Sequence, residues 1–242
     1  MLKKVEKSIF LTKPIIGVVG RKENNYYKIN DSIYKMIINF DAVPLLLLPN
    51  NLDTFLNICD GVIIPGGNDI NNYDIYVCNY CIEKDIPLLG ICLGMQVMAS
   101  LKDDNLILNK ENHKDVTHKI ITKKDSIIGR IVGDSYVNSR HNYHVSKIEG
   151  YNITAHSKDG YIEAIERNNN RFIVGVQWHP EDMIDYDEKQ KNLIKEFISA
   201  TKNWHQSVCI GLLNSSLIFV LDLSEYIELT LYSKDNISLK SL

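Results

Sequence analysis

The sequence predicts an α/β protein: an open, doubly wound, mainly parallel sheet with helices on both faces and a small antiparallel addition. Three observations carry this expectation. Between Pro14 and Leu101, near-continuous apolar runs are separated by amphipathic stretches, as when strands are buried on both faces. Glycine or Pro-Gly turns close several of these runs, as at strand-to-helix joints. Beyond Leu101 the apolar residues alternate with polar ones in short segments, the pattern of half-buried antiparallel strands.

The elements follow in order. Pro14 to Gly20 (PIIGVVG) reads as a strand. Lys28 to Phe40 is predicted helical, with Ile29, Ile33, Met36, Ile37 and Phe40 on one face. Ala42 to Pro49 is a strand, and a short helix lies around Asp53 to Ile58. The Val62 to Ile64 strand precedes a helix from Tyr73 to Lys84. Ile86 to Leu89 is a short buried strand, followed by a helix carrying Met95, Val97, Met98 and Leu101. Short strands are expected at Ser135–Ser139, Val145–Ile148, Ile153–His156 and Tyr161–Glu166, with Asn168 to Asn170 turning into a strand from Phe172 to Trp178. A last amphipathic helix, Asp187 to Trp204, packs Leu193, Ile194, Phe197 and Ile198. Residues 1–205 are expected to form one domain and 206–242 an extension of unknown role. In that extension Val208 to Leu221 reads as two strands and a turn, too short to span a bilayer.

Composition excludes several classes. With 242 residues the chain can bury a sizeable core, and 45% hydrophobic residues, 24% charged residues and a net charge of −3 are ordinary for a soluble protein. No basic excess points to nucleic acid. The apolar run Ile9–Leu11 is too short for a signal peptide, so a cytoplasmic location is the expectation. The five cysteines have no scaffold spacing, and Cys78 and Cys81 form a lone CxxC inside a predicted helix, where packing is the expected role. Neither His113/His118 nor His141/His144 sits in an HExxH context, so no metal or other cofactor is expected.

Three strand ends carry the chemistry. Gly90-Ile91-Cys92-Leu93-Gly94-Met95-Gln96 places a cysteine at a strand-to-helix joint between two glycines, the form of a nucleophile elbow. The helix N-terminus there favours a thiolate over a thiol. Pro65-Gly66-Gly67 ends a second strand in a turn able to present bare backbone N–H groups, and a third strand runs into His179-Pro180-Glu181. A buried cysteine is by itself more often a small hydrophobe, and a histidine before proline more often a turn residue. The order of the three motifs, over about residues 14 to 203, resembles the class I glutamine amidotransferase family.

That resemblance implies a set of roles. Cys92 would attack a carbonyl carbon, His179 would move the proton, and Glu181 would orient the imidazole. Gly67 and Leu93 would supply the oxyanion N–H groups. Gly66 and Gln96 would border the substrate. Asn138-Ser139-Arg140-His141 resembles the Asn-Ser-x-His stretch of γ-glutamyl-γ-aminobutyrate hydrolase-like members (peptidase C26 type), and by strand alternation Ser139 and His141 would share the substrate-facing side. The implied reaction is hydrolysis of a γ-glutamyl amide through a Cys92 thioester, releasing glutamate and an amine or ammonia. Two further readings stay open: a glutaminase subunit feeding ammonia to a separate synthetase, favoured by Leu93 after the cysteine, and an inactive α/β scaffold used for binding. The expected partners are thus glutamine or a γ-glutamyl amine, with a synthetase subunit or a second copy of the chain as candidates.

Overall fold

The computed structural model describes residues 13–50, 52–101, 106–108, 113–214, 217–222 and 228–233, with 106–108 and the residues past 204 described by backbone. β1 (Ile15–Val19) leads into a hairpin of β2 (Arg21–Glu23) and β3 (Tyr26–Lys28). Then come α1 (Asp31–Asn39), β4 (Val43–Leu47), α2 (Leu52–Leu56), β5 (Gly61–Ile64), α3 (Asn72–Lys84), β6 (Leu88–Ile91) and α4 (Leu93–Ala99). The second half adds β7 (Leu106–Leu108), β8 (Val116–Thr122), α5 (Ile127–Ile131), β9 (Ser135–Ser139), β10 (Tyr143–Val145), β11 (Asn152–Ser157) and β12 (Ile162–Glu166). It closes with β13 (Ile173–Val176), a 3₁₀ turn at Pro180–Asp182, α6 (Glu188–Asn214), β14 (Leu217–Asp222) and β15 (Glu228–Ser233).

Nine strands form one sheet in the order β4-β1-β5-β6-β13-β12-β11-β8-β9. From β4 to β13 every neighbour is parallel, and from β13 to β9 every neighbour is antiparallel. The predicted fold class is therefore the observed one. Strand alternation sends side chains to two apolar layers. Ile16, Val18, Ile63, Leu89 and Val174 pack with Ile33, Met36 and Ile37 of α1 and Leu193, Ile194 and Phe197 of α6. On the other face Val62, Ile64, Leu88 and Ile173 pack with Val77, Cys78 and Cys81 of α3 and Val97 and Met98 of α4. Each fully buried large side chain in these layers contributes about 1.5–3 kcal/mol of transfer free energy.

The topology puts β5, β6 and β13 side by side and parallel, so their carboxyl ends emerge at one edge. The Gly-Gly turn, the elbow and the His-Pro-Glu segment all begin there.

Several boundaries differ from expectation. Lys28 belongs to β3, and α1 starts only at Asp31, because Asn30 is extended (φ −64°, ψ 141°). The β2–β3 hairpin was not predicted: its residues are nearly all polar, and its signal is Asn24, which takes φ 53° at the turn. The strand expected at Val145–Ile148 ends at Val145, and β7, β8 and α5 were not predicted. The Asn168–Asn170 turn is where expected, with Asn169 at φ 68° and the Asp85 carboxylate accepting from Asn170 Nδ2 at 2.9 Å. α6 runs on to Asn214, so the first half of the supposed strand pair Val208–Leu221 is helical, while its second half pairs with β15. β-branched residues such as Val208 and Ile210 are only a weak prior against extending an established helix. Among the described residues no helix is long and apolar enough to cross a membrane.

Candidate active site

Cys92 sits between β6 and α4 with φ 50° and ψ −100°. For a residue with a Cβ this backbone is strained by about 1–3 kcal/mol. Its neighbours enforce it. Cys92 N–H donates to the Val176 carbonyl at 2.8 Å, and its carbonyl accepts from Gln96 N–H at 3.2 Å. The flanking glycines let the chain close: a Cβ on Gly94 would lie 2.0 Å from the Ile64 carbonyl oxygen, and one on Gly90 would lie 2.8 Å from the Gly94 carbonyl carbon. Cys92 itself remains only 7% exposed.

His179 is fixed from three directions. Trp178 before it is fully buried and donates its indole N–H to Gln190 Oε1 at 2.9 Å. Asn138 of β9 clamps the His179 backbone, with Oδ1 accepting from its N–H at 2.8 Å and Nδ2 donating to its carbonyl at 3.0 Å. Pro180 opens a 3₁₀ turn that brings Glu181 back under the ring, where Oε1 accepts from Nδ1 at 2.8 Å. The imidazole is also hydrogen-bonded to Cys92. Burial alone would lower the His179 pKa, but the hydrogen bonds to Cys92 and Glu181, with their charges, raise it to about 10. His179 thus holds a proton at neutral pH. The sign is clear: the stabilisation is complete below the unfolded value of about 6.5 and is lost as pH rises through about 10.

The Pro65-Gly66-Gly67 turn completes the triangle. A Cβ on Gly66 would meet His179 Cε1 at 2.8 Å and Cys92 Cβ at 3.7 Å, so only glycine fits beside the imidazole. Arg21, unremarked in the sequence, holds this turn. Its Nη2 donates to the Pro65 carbonyl at 2.6 Å and its Nε to the Gly66 carbonyl at 3.1 Å. Its Nη1 pairs at 2.6 Å with Asp74, a fully buried carboxylate that also accepts from Asn71 N–H at the start of α3. Across a trans peptide the carbonyl of Gly66 and the N–H of Gly67 point in opposite directions. Fixing one on Arg21 fixes the other.

A cavity of about 800 Å³ opens over these groups, lined by Gly66, Gly67, Cys92 and His179, with Arg21 and Arg140 among its cationic walls. Arg140 is half exposed and pairs with Asp182 at 2.5 Å. Gln96, Ser139 and His141 do not line it. Gln96 is buried and donates to the Tyr143 carbonyl at 3.0 Å and to Gln177 at 3.3 Å. Ser139 donates to the His113 carbonyl at 2.6 Å. Because Asn138 engages His179, strand alternation turns Ser139 to the opposite face, and the parity read from sequence is inverted: Asn138 and Arg140 approach the site. His141 donates from Nδ1 to the Tyr143 carbonyl at 3.0 Å, and burial with neighbouring imidazoles lowers its pKa to about 3. Two of these omissions had a signal. Arg21 follows β1 at the same sheet edge as the three motifs, and Asn138 needed only the other parity of β9.

Among the described residues two groups have metal-ligating composition: His179, Glu181 and Asp182 at this site, and His113, His118, His141 and Glu163 elsewhere. Cys59, Cys78 and Cys81 are free and buried; burial pushes the first two to about 12 and Cys81 well up.

Limited iodoacetamide treatment read by mass spectrometry should modify Cys92 before Cys59, Cys78 or Cys81, since only Cys92 of the four lines the cavity. Gly94→Ala should lower the denaturant midpoint by an amount equivalent to about 1–3 kcal/mol and disable the site, because the Ile64 carbonyl is backbone and has little room to yield. Glu181→Gln should move the His179 titration, followed by NMR, down by about one pH unit or more, and with it the alkaline limit of activity.

Comparison with known proteins identifies the family. The family model of glutamine amidotransferase class-I matches residues 23–200. A glutamine amidotransferase-like protein of Rickettsia prowazekii is 27% identical over 278 aligned positions, covering 78% of this chain and 98% of that one. The glutamine-hydrolyzing GMP synthase subunit of Haloquadratum walsbyi is 33% identical over 150 residues, covering 61% of this chain and 78% of its own. The glutaminase domain of Trypanosoma brucei CTPS, solved with bound acivicin, superposes with a TM-score of 0.59 at 18% identity over 80% of this chain and 94% of that one, a likeness of fold. With about three-quarters of its length matched and the elbow, Gly-Gly turn and His-Pro-Glu segment at one sheet edge, the chain belongs to the class I glutamine amidotransferase family.

Proposed function

We propose that the protein hydrolyses a γ-glutamyl amide through a thioester on Cys92. The observation that carries this reading is the hydrogen-bonded line Cys92–His179–Glu181 on the wall of one cavity. Cys92 Sγ attacks the amide carbonyl carbon while His179 holds the proton, and the oxyanion is met by the N–H groups of Leu93 and Gly67. His179 then gives its proton to the departing nitrogen as the carbon–nitrogen bond breaks, leaving a γ-glutamyl thioester. Water enters, His179 takes one of its protons, and the new carbon–oxygen bond releases glutamate and the Cys92 sulfur. Glu181 orients and steadies the imidazolium.

A stand-alone hydrolase fits best, because the Gly66–Gly67 peptide is oriented by Arg21 from within the same chain and needs no partner to set it. At the cavity wall Arg140 uses one guanidinium nitrogen on Asp182 and has further donors for a carboxylate on the leaving amine. A second reading, a glutaminase subunit serving a separate synthetase, draws support from the glutamine-hydrolyzing GMP synthase relatives and from a 29% identical CTP synthase of Thermosipho africanus.

Steady-state kinetics on the purified chain alone separates them. The expected kcat/KM on γ-glutamyl-γ-aminobutyrate exceeds about 10³ M⁻¹s⁻¹ and the value on glutamine. Arg140→Ala should raise KM for that conjugate by about tenfold and leave glutamine unchanged, the size of one exposed charge-assisted contact. Negligible turnover of both substrates, restored by a cell extract, would favour the glutaminase reading. A Cys92 inert to acivicin would instead point to a binding scaffold.

A further inference from the structure

The chain brings together a second cluster that the proposed reaction does not use. His113 precedes β8, His118 lies in β8, His141 follows β9 and Glu163 lies in β12. No two of these are neighbours in sequence, so the spacing of the histidines alone gave no metal motif. In the fold one ligand atom from each residue lies within 4.8 Å of all the others. Glu163 Oε1 is 3.2 Å from His113 Nε2, 3.5 Å from His118 Nε2 and 3.9 Å from His141 Nε2. These are close to the roughly 3.3 Å between ligand atoms around a tetrahedral ion with bonds of about 2.0–2.1 Å.

The outer contacts decide what the cluster can hold. His113 Nδ1 faces the Asp159 carboxylate at 2.9 Å, and His141 Nδ1 faces the Tyr143 carbonyl at 3.0 Å. Both acceptors require Nδ1–H, which turns the Nε2 atoms of both rings toward Glu163. This is how outer carboxylates and carbonyls orient metal-bound imidazoles. Glu163 is 0% exposed, and its Oε2 has no hydrogen-bond partner among the described residues. A buried carboxylate surrounded by ring nitrogens gathers electron-rich atoms that a cation would neutralise. Three nitrogens and one carboxylate suit a borderline transition ion rather than Mg²⁺ or Ca²⁺, which take all-oxygen shells.

We propose that His113, His118, His141 and Glu163 form a closed, structural site for one divalent transition ion, with Zn²⁺ the best match to the donor set. The ion fastens the approach to β8 and the end of β9 onto β12. It takes no part in the reaction, and the proposal is independent of the activity assigned to Cys92.

The test uses the full chain, incubated with Zn²⁺, freed of unbound metal and measured by elemental analysis, with Co²⁺ replacing Zn²⁺ for visible spectra. The expected result is one ion per chain, intense four-coordinate Co²⁺ bands, and a melting temperature raised by Zn²⁺. His118→Asn, the least buried position, should lose all three while keeping the unliganded fold by circular dichroism. Glu163→Gln serves as a second variant. Cys92→Ser and Glu181→Gln should retain the ion, which separates this cluster from the one at His179. Failure of the wild-type chain to retain zinc would overturn the proposal. So would retention undiminished in His118→Asn, or an ion lost only in the Cys92 and Glu181 variants.

Discussion

The site depends on one steric constraint: the backbone at Gly94 packs so closely against the Ile64 carbonyl that no Cβ fits between them. This contact joins the first turn of α4 to the end of β5, and the bend at Cys92 is what the chain must adopt to make it. The strain at Cys92 is local, while the forces that impose it are distributed over the parallel pairings of β5, β6 and β13 and the two apolar layers. A thiol held this way keeps its position without help from a ligand, the kind of preorganisation that the proposed reaction requires.

A second constraint passes from α3 to the Gly-Gly turn. Asp74 is wholly buried and would be costly without a cation, so Arg21 is drawn inward from the hairpin. Once there, its remaining donors meet the Pro65 and Gly66 carbonyls. One ion pair thus couples the start of a helix, a surface hairpin and the orientation of a peptide beside Cys92. The net worth of such a pair is small compared with the penalty of breaking it, and its main effect here is geometric.

The parallel core was legible because apolar runs such as Val62–Ile64 and Leu88–Leu89 are buried on both faces and carry no competing signal. The three motifs were legible because each interrupts such a run with glycine, cysteine or a His-Pro pair. Arg21 escaped notice because its role depends on a carboxylate 53 positions away, and a polar hairpin offers no periodicity to read. The stretch around Ser139 was read with the wrong face toward the candidate site, since a single strand with polar residues on both sides does not declare its register. The same limit hid the histidine cluster: its members sit on three separate strand segments that only the antiparallel half of the sheet brings together.

The Tyr143 carbonyl oxygen receives two buried donors, Gln96 Nε2 from α4 and His141 Nδ1 from the histidine cluster, each at 3.0 Å. A carbonyl has two lone pairs, and here both are engaged. Displacing this segment would strand two donors together, at about 1–3 kcal/mol each. The carbonyl therefore acts as a latch between the antiparallel extension and α4, and looseness on one side is transmitted to the other as loss of order.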